Sequence, residues 1–141
     1  MKAHQVLTLA GISMLAMSSS CEKEGDASPA ADGTTGILLG AETTVDNQFQ
    51  NPRARWTVNI APLSFPGWGG QSYQQAKVFN LPDTTTYKAG CTITFHYRLV
   101  PQTQETPWRT RGAWMSLAAA RTGTDALPEI ILSDIKIIQS R

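Results

Sequence analysis

The sequence predicts a mainly β domain, and three observations support that prediction. Apolar and polar residues alternate in several short stretches of the chain, which is the period of a half-buried strand. Segments rich in glycine, proline, asparagine and aspartate separate these stretches, and such residues favour turns. The chain has 141 residues, which after removal of a leader leaves the length of one domain with a single core.

Three strand candidates occupy the first part of the domain. Residues 37–45 favour β structure and form the first candidate. Residues 55–60 alternate cleanly, so that Trp56, Val58 and Ile60 lie on one face of the second candidate. Residues 71–79 form a weaker third candidate, which ends where a turn-forming run of asparagine, proline and aspartate begins.

Two further candidates follow in the second half. Residues 91–99 give the clearest pattern, because every odd position is apolar or aromatic and every even one is polar. In residues 129–138, two pairs of apolar residues lie on either side of Ser133 and Asp134. If these two residues form a β-bulge, both pairs return to the same face, whereas an unbroken strand needs cover on both sides. We favour the bulge.

Five strands are few for a sandwich, but they match a small barrel such as the OB-fold, whose closure removes exposed edges. An OB-fold usually has its helix between the third and fourth strands. Here the long connection, residues 100–128, falls between the fourth and fifth. Residues 113–121 within it are rich in alanine and have the length of two helical turns, although a strand or a plain loop fits them as well.

Motifs in the second half of the chain carry a resemblance to a known family. They are Val78-x-Asn80-Leu81-Pro82, then Tyr87-x-x-Gly90-x-x-Ile93-x-Phe95-x-Tyr97, and later Pro128-x-Ile130 continuing to Ile135. Together they resemble small uncharacterised lipoproteins of the Bacteroidetes type that contain an OB-like barrel. The motifs form a turn and two strands, so the resemblance implies a fold far more than a function.

Residues 1–20 are predicted to be a lipoprotein signal peptide. Lys2 supplies a positive start, and residues 6–17 form an uncharged apolar stretch that is too short to span a bilayer, which takes about 20 apolar residues. Three serines then lead directly to Cys21, and this junction resembles a lipobox in which Ser18 replaces the usual leucine. An ordinary secretory leader is the alternative, but it favours an A-x-A site that is missing at this junction. We therefore predict that Cys21 carries the lipid that holds the protein to a membrane.

Residues 21–35 are predicted to be an acidic, flexible linker, and residues 36–141 the β-barrel-like domain. The linker contains no large apolar side chain and is rich in glycine, serine, proline, alanine and acids. Its start, Cys21-Glu22-Lys23-Glu24, resembles the tails that direct Bacteroidetes lipoproteins to the cell surface. We expect attachment to the outer membrane, with the domain facing either the periplasm or the cell surface.

The composition and the cysteine count exclude several classes of function. With 41% hydrophobic and 16% charged residues, the chain is neither disordered nor membrane-embedded. Cys21 is assigned to lipid, so Cys91 has no partner for a disulfide, and it shares the apolar face of its strand. His96 falls on the opposite face, where Asp134 is a conceivable partner. We therefore expect no metal or other cofactor. The small positive excess of the domain makes no basic stripe, so nucleic acid is not expected either.

Tryptophans in predicted loops are the main candidates for a binding site. Trp68 lies in a glycine-rich loop, while Trp108 and Trp114 flank Arg109 and Arg111 in the long connection. Such side chains can form flat platforms that stack on sugar rings or hold anions, and OB barrels use their loops in this way. Plugging of an open barrel end is the alternative role. An up-and-down strand order predicts that both loops lie at one end of the barrel.

These observations predict a lipid-anchored, non-enzymatic binding or interaction module, with a glycan as the candidate ligand. No nucleophile elbow, phosphate loop or H-E-x-x-H motif is present in the sequence, so no catalytic residue is assigned. The alternatives are a structural accessory subunit that docks on another envelope protein and, with less support, a periplasmic or surface enzyme.

Overall fold

The computed structural model describes residues 33–81, 85–116 and 121–139. The predicted signal peptide, Cys21 and most of the predicted linker lie outside the described residues. The strands are β1 (Thr34–Thr44), β2 (Arg53–Asn59), β3 (Phe65–Pro66), β4 (Ser72–Tyr73), β5 (Gln75–Val78), β6 (Thr92–Leu99) and β7 (Glu129–Gln139). The helix α1 spans Arg111–Met115, and short 3-10 turns occupy parts of the loops.

The predicted five-stranded OB-like barrel is confirmed. The strands close in the order β1-β2-β5-β7-β6, and β6 pairs with β1 to complete the circle. Every neighbouring pair is antiparallel except β5 and β7, which run parallel. The fifth strand of the barrel therefore lies between the third and the fourth. Because β6 and β7 are antiparallel neighbours that a short hairpin could join, the length of residues 100–128 is not needed to close the barrel.

The alternating face of each strand builds the core as the sequence predicts. On β2 and just beyond it, Trp56, Val58 and Ile60 are all buried. Cys91 and Ile93 are completely buried as well, and their even-numbered neighbours are more accessible. The apolar face of each strand thus points inward, and burial of this face is the main source of the barrel's stability.

A loop aromatic closes part of the barrel, but it is not one of the tryptophans. Phe65 belongs to the short β3–β4 ribbon in the connection between β2 and β5, and its side chain is fully buried in the core. Its ring meets the ring of Tyr97 edge to face, with centroids 4.9 Å apart, which is a favourable aromatic geometry. The plugging role expected for an aromatic loop residue is therefore filled by Phe65.

The predicted bulge in the last strand is present. Thr94 faces Lys136 and His96 faces Ser133, so β7 contains one more residue than β6 between these pairs. Asp134 has a positive φ of 50°, which is the local distortion that absorbs the extra residue. Beyond the bulge Ile135 packs against the core, whereas Ile137 near the strand end is 39% exposed. Only one of the two later isoleucines, Ile135, thus packs against the core, and it is partly buried.

Two elements differ in extent from the sequence prediction. The third barrel strand, β5, is short, because the chain first forms the separate β3–β4 ribbon and enters the barrel only at Gln75. The helix in the long connection lies at Arg111–Met115 and starts earlier than the alanine-rich run. Its start is fixed by Thr110, whose side-chain oxygen accepts a hydrogen bond from the backbone N–H of Ala113 at 3.3 Å. Residues 117–120 of the alanine-rich run lie outside the described residues.

Candidate functional site

The connection between β6 and β7 lies across the outer face of β2 and β5. Arg55 on β2 and Lys77 on β5 point away from the barrel core, because they alternate with the buried apolar residues of the same strands. Both are nevertheless buried, with 2% and 3% of their surface exposed. The backbone N–H of Lys77 donates to the carbonyl of Pro128, and its ammonium donates to the carbonyl of Asp125 at 3.0 Å. The connection therefore covers a face that would otherwise be in contact with solvent.

Buried ion pairs fasten this connection to the strands. Asp125, whose side chain is 7% exposed, accepts from the guanidinium of Arg55 and from Nε of Arg109 at 3.3 Å. Glu105, whose side chain is 1% exposed, accepts from Lys77 at 3.2 Å and from Arg121. A buried charge is tolerated when it is paired and hydrogen-bonded, and each of these carboxylates has two cationic partners.

Glu129, the first residue of β7, supplies a third carboxylate that binds the start of the connection. Its two oxygens accept from the backbone N–H and the hydroxyl of Thr106 at 2.6 and 2.7 Å. The backbone N–H of Glu129 in turn donates to Glu105 at 3.0 Å. The long connection is thereby held at both of its ends by side chains that the barrel strands supply.

Removal from water lowers the pKa of Lys77 below its ordinary value, and this effect outweighs the opposing attraction of Glu105. Burial therefore disfavours the charged form, while the Glu105 contact favours it. Because the pKa in the folded state is depressed, unfolding takes up a proton at Lys77 between that pKa and the ordinary one. The contribution of Lys77 to stability consequently rises with pH between the depressed pKa and the ordinary one.

The turn between β1 and β2 is ordered by one carboxylate. Asp46 accepts hydrogen bonds from the backbone N–H groups of Gln50 and Gln48 at 2.8 and 3.0 Å, and from the side-chain amide of Asn51 at 2.7 Å. The hydrogen bond from Gln50 is the largest cause that lowers the pKa of Asp46. These bonds hold Phe49 and Asn51 in the left-handed backbone region, at φ of 60° and 52°.

Trp108 and Trp114 join the long connection to this turn. The indole N–H of Trp108 donates to the carbonyl of Asn51 at 2.7 Å, and that of Trp114 donates to the carbonyl of Val45 at 2.8 Å. Val45 and Arg109 also exchange two backbone hydrogen bonds and form an isolated antiparallel bridge. Both indole rings are partly buried, so these two tryptophans are neither barrel plugs nor freely projecting side chains.

Guanidinium groups lie against the aromatic rings of this region. Arg53 lies 5.3 Å from the ring centroid of Trp108 and 5.5 Å from that of Phe79. Arg109 lies 5.5 Å from the centroid of Trp114. Arg111, also a predicted site residue, lies 5.8 Å from the ring of Phe49 in the β1–β2 turn. All four distances fall within the range of cation–π attraction.

Two adjacent cavities border the tryptophans, and we call them together the tryptophan cleft. One has a volume of about 370 Å³ and is lined by Asp46, Asn47, Gln48, Pro107, Trp108 and Trp114. The other has a volume of about 260 Å³ and is lined by Lys77, Thr106, Pro107, Trp108, Arg109, Trp114, Arg121 and Asp125. Because both include Trp108 and Trp114, a ligand in either cavity meets an indole surface.

The expectation that Trp68 joins this cluster is wrong. Trp68 lies in the connection that leaves β2 after Asn59, and its ring contacts Tyr73 of the same connection, with centroids 6.4 Å apart. Trp108 instead contacts the β1–β2 turn, at the opposite end of β2. The up-and-down argument failed because β7 starts beside the last residues of β5, where Glu129 faces Lys77. From there the connection folds across β2 and β5 to the β1–β2 turn.

The remaining candidates lie apart from the cleft. Cys91 is free and fully buried, as its strand phase predicts. His96 is on the outer surface, where its Nδ1 lies 3.2 Å from a carboxylate oxygen of Asp134, the partner that the sequence suggested. Across the described ranges, no group of three or more histidine, cysteine, aspartate or glutamate side chains is placed to hold a metal ion.

Sequence reasoning named Trp108, Trp114 and Arg109, which line the cleft, and Arg111, which lines neither of its cavities. It missed Arg121 and the carboxylates beneath the cleft. The sequence around Glu105 and Asp125 does not mark them as important, since each is a single acid in a loop with no motif around it. The available signal was the pair Arg55 and Lys77, because a charged residue in the middle of a barrel strand needs a partner if anything covers it. The length of the β6–β7 connection indicated that this segment could cover the two residues.

Fold and site together define an OB-like barrel whose β6–β7 connection covers the outer face of its second and third strands and forms a tryptophan-lined cleft with the β1–β2 turn. None of the helices in the described part of the chain has the length and apolar character needed to cross a membrane. Comparison with protein-family models, with curated proteins and with solved structures found no match to this chain.

Proposed function

We propose that this protein is a lipid-anchored envelope module that binds a glycan without transforming it. The observation that supports the proposal is the tryptophan cleft, in which two indole surfaces border cavities that also contain arginine and carboxylate side chains. Apolar walls with a few polar groups are typical of small-ligand sites. OB barrels bind oligosaccharides partly through the loops that follow their first and fourth strands, and the corresponding loops form the cleft here.

The chemistry of the cleft suits a sugar ring. One face of a pyranose carries mainly C–H groups, which pack on an indole plane, while its hydroxyls need donors and acceptors at the ring edge. Trp108 and Trp114 supply the planes, and the amide side chains of Asn47 and Gln48 supply polar groups for the hydroxyls. The indole N–H groups are already bonded to the β1–β2 turn, so the rings are held in place before a ligand arrives.

A second candidate function is a structural accessory subunit that docks on another envelope protein. Its support is a set of exposed apolar side chains on strands that flank β6: Ile37 and Leu39 on β1 are 46% and 45% exposed, and Ile138 on β7 is 59% exposed. Exposed apolar residues that lie close together are characteristic of protein interfaces. Co-purification with another envelope protein that is lost on Ile37→Asp, with glycan binding unchanged, would favour this second function.

The anchor is tested by Cys21→Ala. We expect the variant to lose acylation and to remain unprocessed or to be released from membranes, because only the Cys21 thiol near the junction can receive a diacylglycerol. Metabolic labelling with a palmitate analogue and detergent partitioning measure the outcome, with Cys91→Ala as the matched control that keeps the predicted lipid site. Identical partitioning of Cys21→Ala and the unaltered chain would contradict the lipoprotein proposal.

The binding site is tested by Trp108→Ala and Trp114→Ala. If the indole planes carry the sugar, each change should weaken glycan affinity by about 1 to 3 kcal/mol, as expected for aromatic hot spots. A glycan array identifies ligands for the unaltered protein, and titration calorimetry then measures each variant. Trp68→Ala is the control, because it removes a tryptophan from the opposite end of β2 and should leave affinity unchanged.

Thermal melts of the same variants separate binding from folding. Each alanine variant loses one indole hydrogen bond, so we expect a modest stability cost of about 1 kcal/mol from that bond. Trp108→Phe and Trp114→Phe keep an aromatic plane and should retain most of the affinity. Absence of any glycan ligand, or affinity that does not change in either alanine variant, would overturn the proposed function.

A further inference from the structure

Around the tryptophan cleft, the carboxylates that pair with arginine are more deeply buried than most of their arginine partners. The carboxylates of Glu105 and Asp125 are almost completely buried, with side chains 1% and 7% exposed. The guanidinium-bearing side chains that pair with them from the solvent side are more accessible: Arg109 is 26% exposed and Arg121 is 46% exposed. Arg53 and Arg111 are exposed as well. A molecule that enters the smaller cavity from solvent therefore meets cationic groups first, whereas the larger cavity contains Asp46 and, over the residues that the structure describes, no cationic side chain in its lining.

The carboxylate oxygens are also occupied by donors of the protein itself. Glu105 accepts from Lys77, from Arg121 and from the backbone N–H of Glu129. Asp46 is the accessible acid of the larger cavity, and three groups of its own turn donate to it. These acids therefore have little capacity left to accept hydrogen bonds from sugar hydroxyls.

The guanidinium of Arg109, by contrast, retains donors. Among the described residues its side-chain hydrogen bond to Asp125 uses Nε, so the two Nη groups have N–H donors for a ligand. The group also lies against Trp114, which fixes its position beside an indole plane. Arginine in this state binds a carboxylate or a sulfate through two parallel hydrogen bonds.

We propose that the ligand of the cleft is an acidic glycan, one whose sugars carry carboxylate or sulfate groups. This inference rests on the proposed glycan-binding function and specifies its substrate class. The sugar ring packs on Trp108 or Trp114, and its anionic group pairs with Arg109, with Arg121 at the mouth of the same cavity. A neutral sugar would use the indole planes but leave the guanidinium donors to water.

The test compares chemically matched probes on the intact, detergent-solubilised protein. The pairs are oligogalacturonate with its methyl ester, and a sulfated oligosaccharide with its desulfated form, each titrated at low and at moderate salt. We expect the acidic member of a pair to bind at least about tenfold more tightly, because a hydrogen bond to a charged group is stronger than one to a neutral group. Its affinity should fall as salt rises, while that of the neutral member should not.

Variants assign the preference to a residue. Arg109→Gln should reduce affinity for the acidic member about tenfold or more and change that for the neutral member less than about twofold. Arg98→Gln is the matched control, since Arg98 is an exposed arginine on β6, outside the cleft. The comparison of acidic with neutral probes on the unaltered protein decides the question even if Arg109→Gln fails to fold.

The outcomes separate the two proposals. Equal or tighter binding of the neutral members would overturn the acidic-glycan inference and leave the glycan-binding function standing. Failure of every member of the panel and of a wider glycan array to bind would overturn both. If Arg109→Gln reduced the affinity for acidic and neutral probes equally, Arg109 would not be the residue that binds the anionic group.

Discussion

Replacing Cys91 by lysine is expected to prevent the barrel from folding. Cys91 is fully buried in a core cluster whose members are all apolar or aromatic, so the cluster offers no carboxylate to an ammonium group. Burying an unpaired charge costs several kcal/mol, and a domain of this size has a total stability of only about 5 to 15 kcal/mol. Circular dichroism and urea unfolding should show little folded protein, whereas Cys91→Ala should cost only about 1 kcal/mol.

Thr92→Lys is the matched control for this experiment. It places the same charge one residue later on the same strand, but on the outer face, where Thr92 is partly accessible. We expect its stability to stay within about 0.5 kcal/mol of the unaltered protein. In a chain that also carries Cys21→Ser, the Cys91 thiol should react with a polar alkylating reagent only after denaturation. Rapid reaction in the native state, or equal melting of the two lysine variants, would refute the assigned strand phase.

The barrel strands could be predicted because the alternation of apolar and polar residues within each strand shows which face is buried. In β6 the alternation from Cys91 to Leu99 fixes one inward face, and the structure buries Ile93 and Phe95 as expected. The bulge in β7 was predictable for the same reason, because the apolar residues change phase at Asp134. Local periodicity determines these features, and no tertiary information is needed to read it.

The burial of the outward-facing side chains on the second and third strands could not be predicted from the pattern of those strands. Arg55 and Lys77 have the spacing of solvent-exposed side chains, and the pattern is the same whether water or a loop lies above them. Their burial depends on Glu105 and Asp125, which are more than twenty residues from Lys77 and Arg55 in sequence. Only the folded connection brings these charges together.

The structure brings Trp108 and Trp114 together but places Trp68 at the other end of β2, and strand register is the reason. Trp108 and Trp114 are close in sequence, and their loop brings both to the β1–β2 turn. The position of Trp68 relative to them depends on where β7 starts beside β5, a tertiary pairing that local pattern does not specify. Binding sites built from several loops are harder to predict than single strands for this reason.

The connection that forms the cleft should depend strongly on Asp125. Asp125→Ala removes the buried partner of Arg55, whose side chain is only 3% exposed and whose Nε has no hydrogen-bond partner in the described ranges. The guanidinium would then keep Glu42, at 2.9 Å, as its remaining carboxylate. Breaking a buried pair by removing one partner costs about 3 to 5 kcal/mol, and we expect a loss of that size in urea unfolding.

Glu42→Ala is the control, because it removes the other carboxylate from the same guanidinium. The Glu42 side chain is 47% exposed, so solvent screens this pair and we expect its loss to cost at most about 1 kcal/mol. A double variant, Arg55→Met with Asp125→Leu, removes both buried charges and should be more stable than Asp125→Ala alone, because it leaves no unpaired charge on Arg55. Equal losses in Asp125→Ala and Glu42→Ala would mean that water reaches Arg55, and that the connection does not seal the face of β2 and β5.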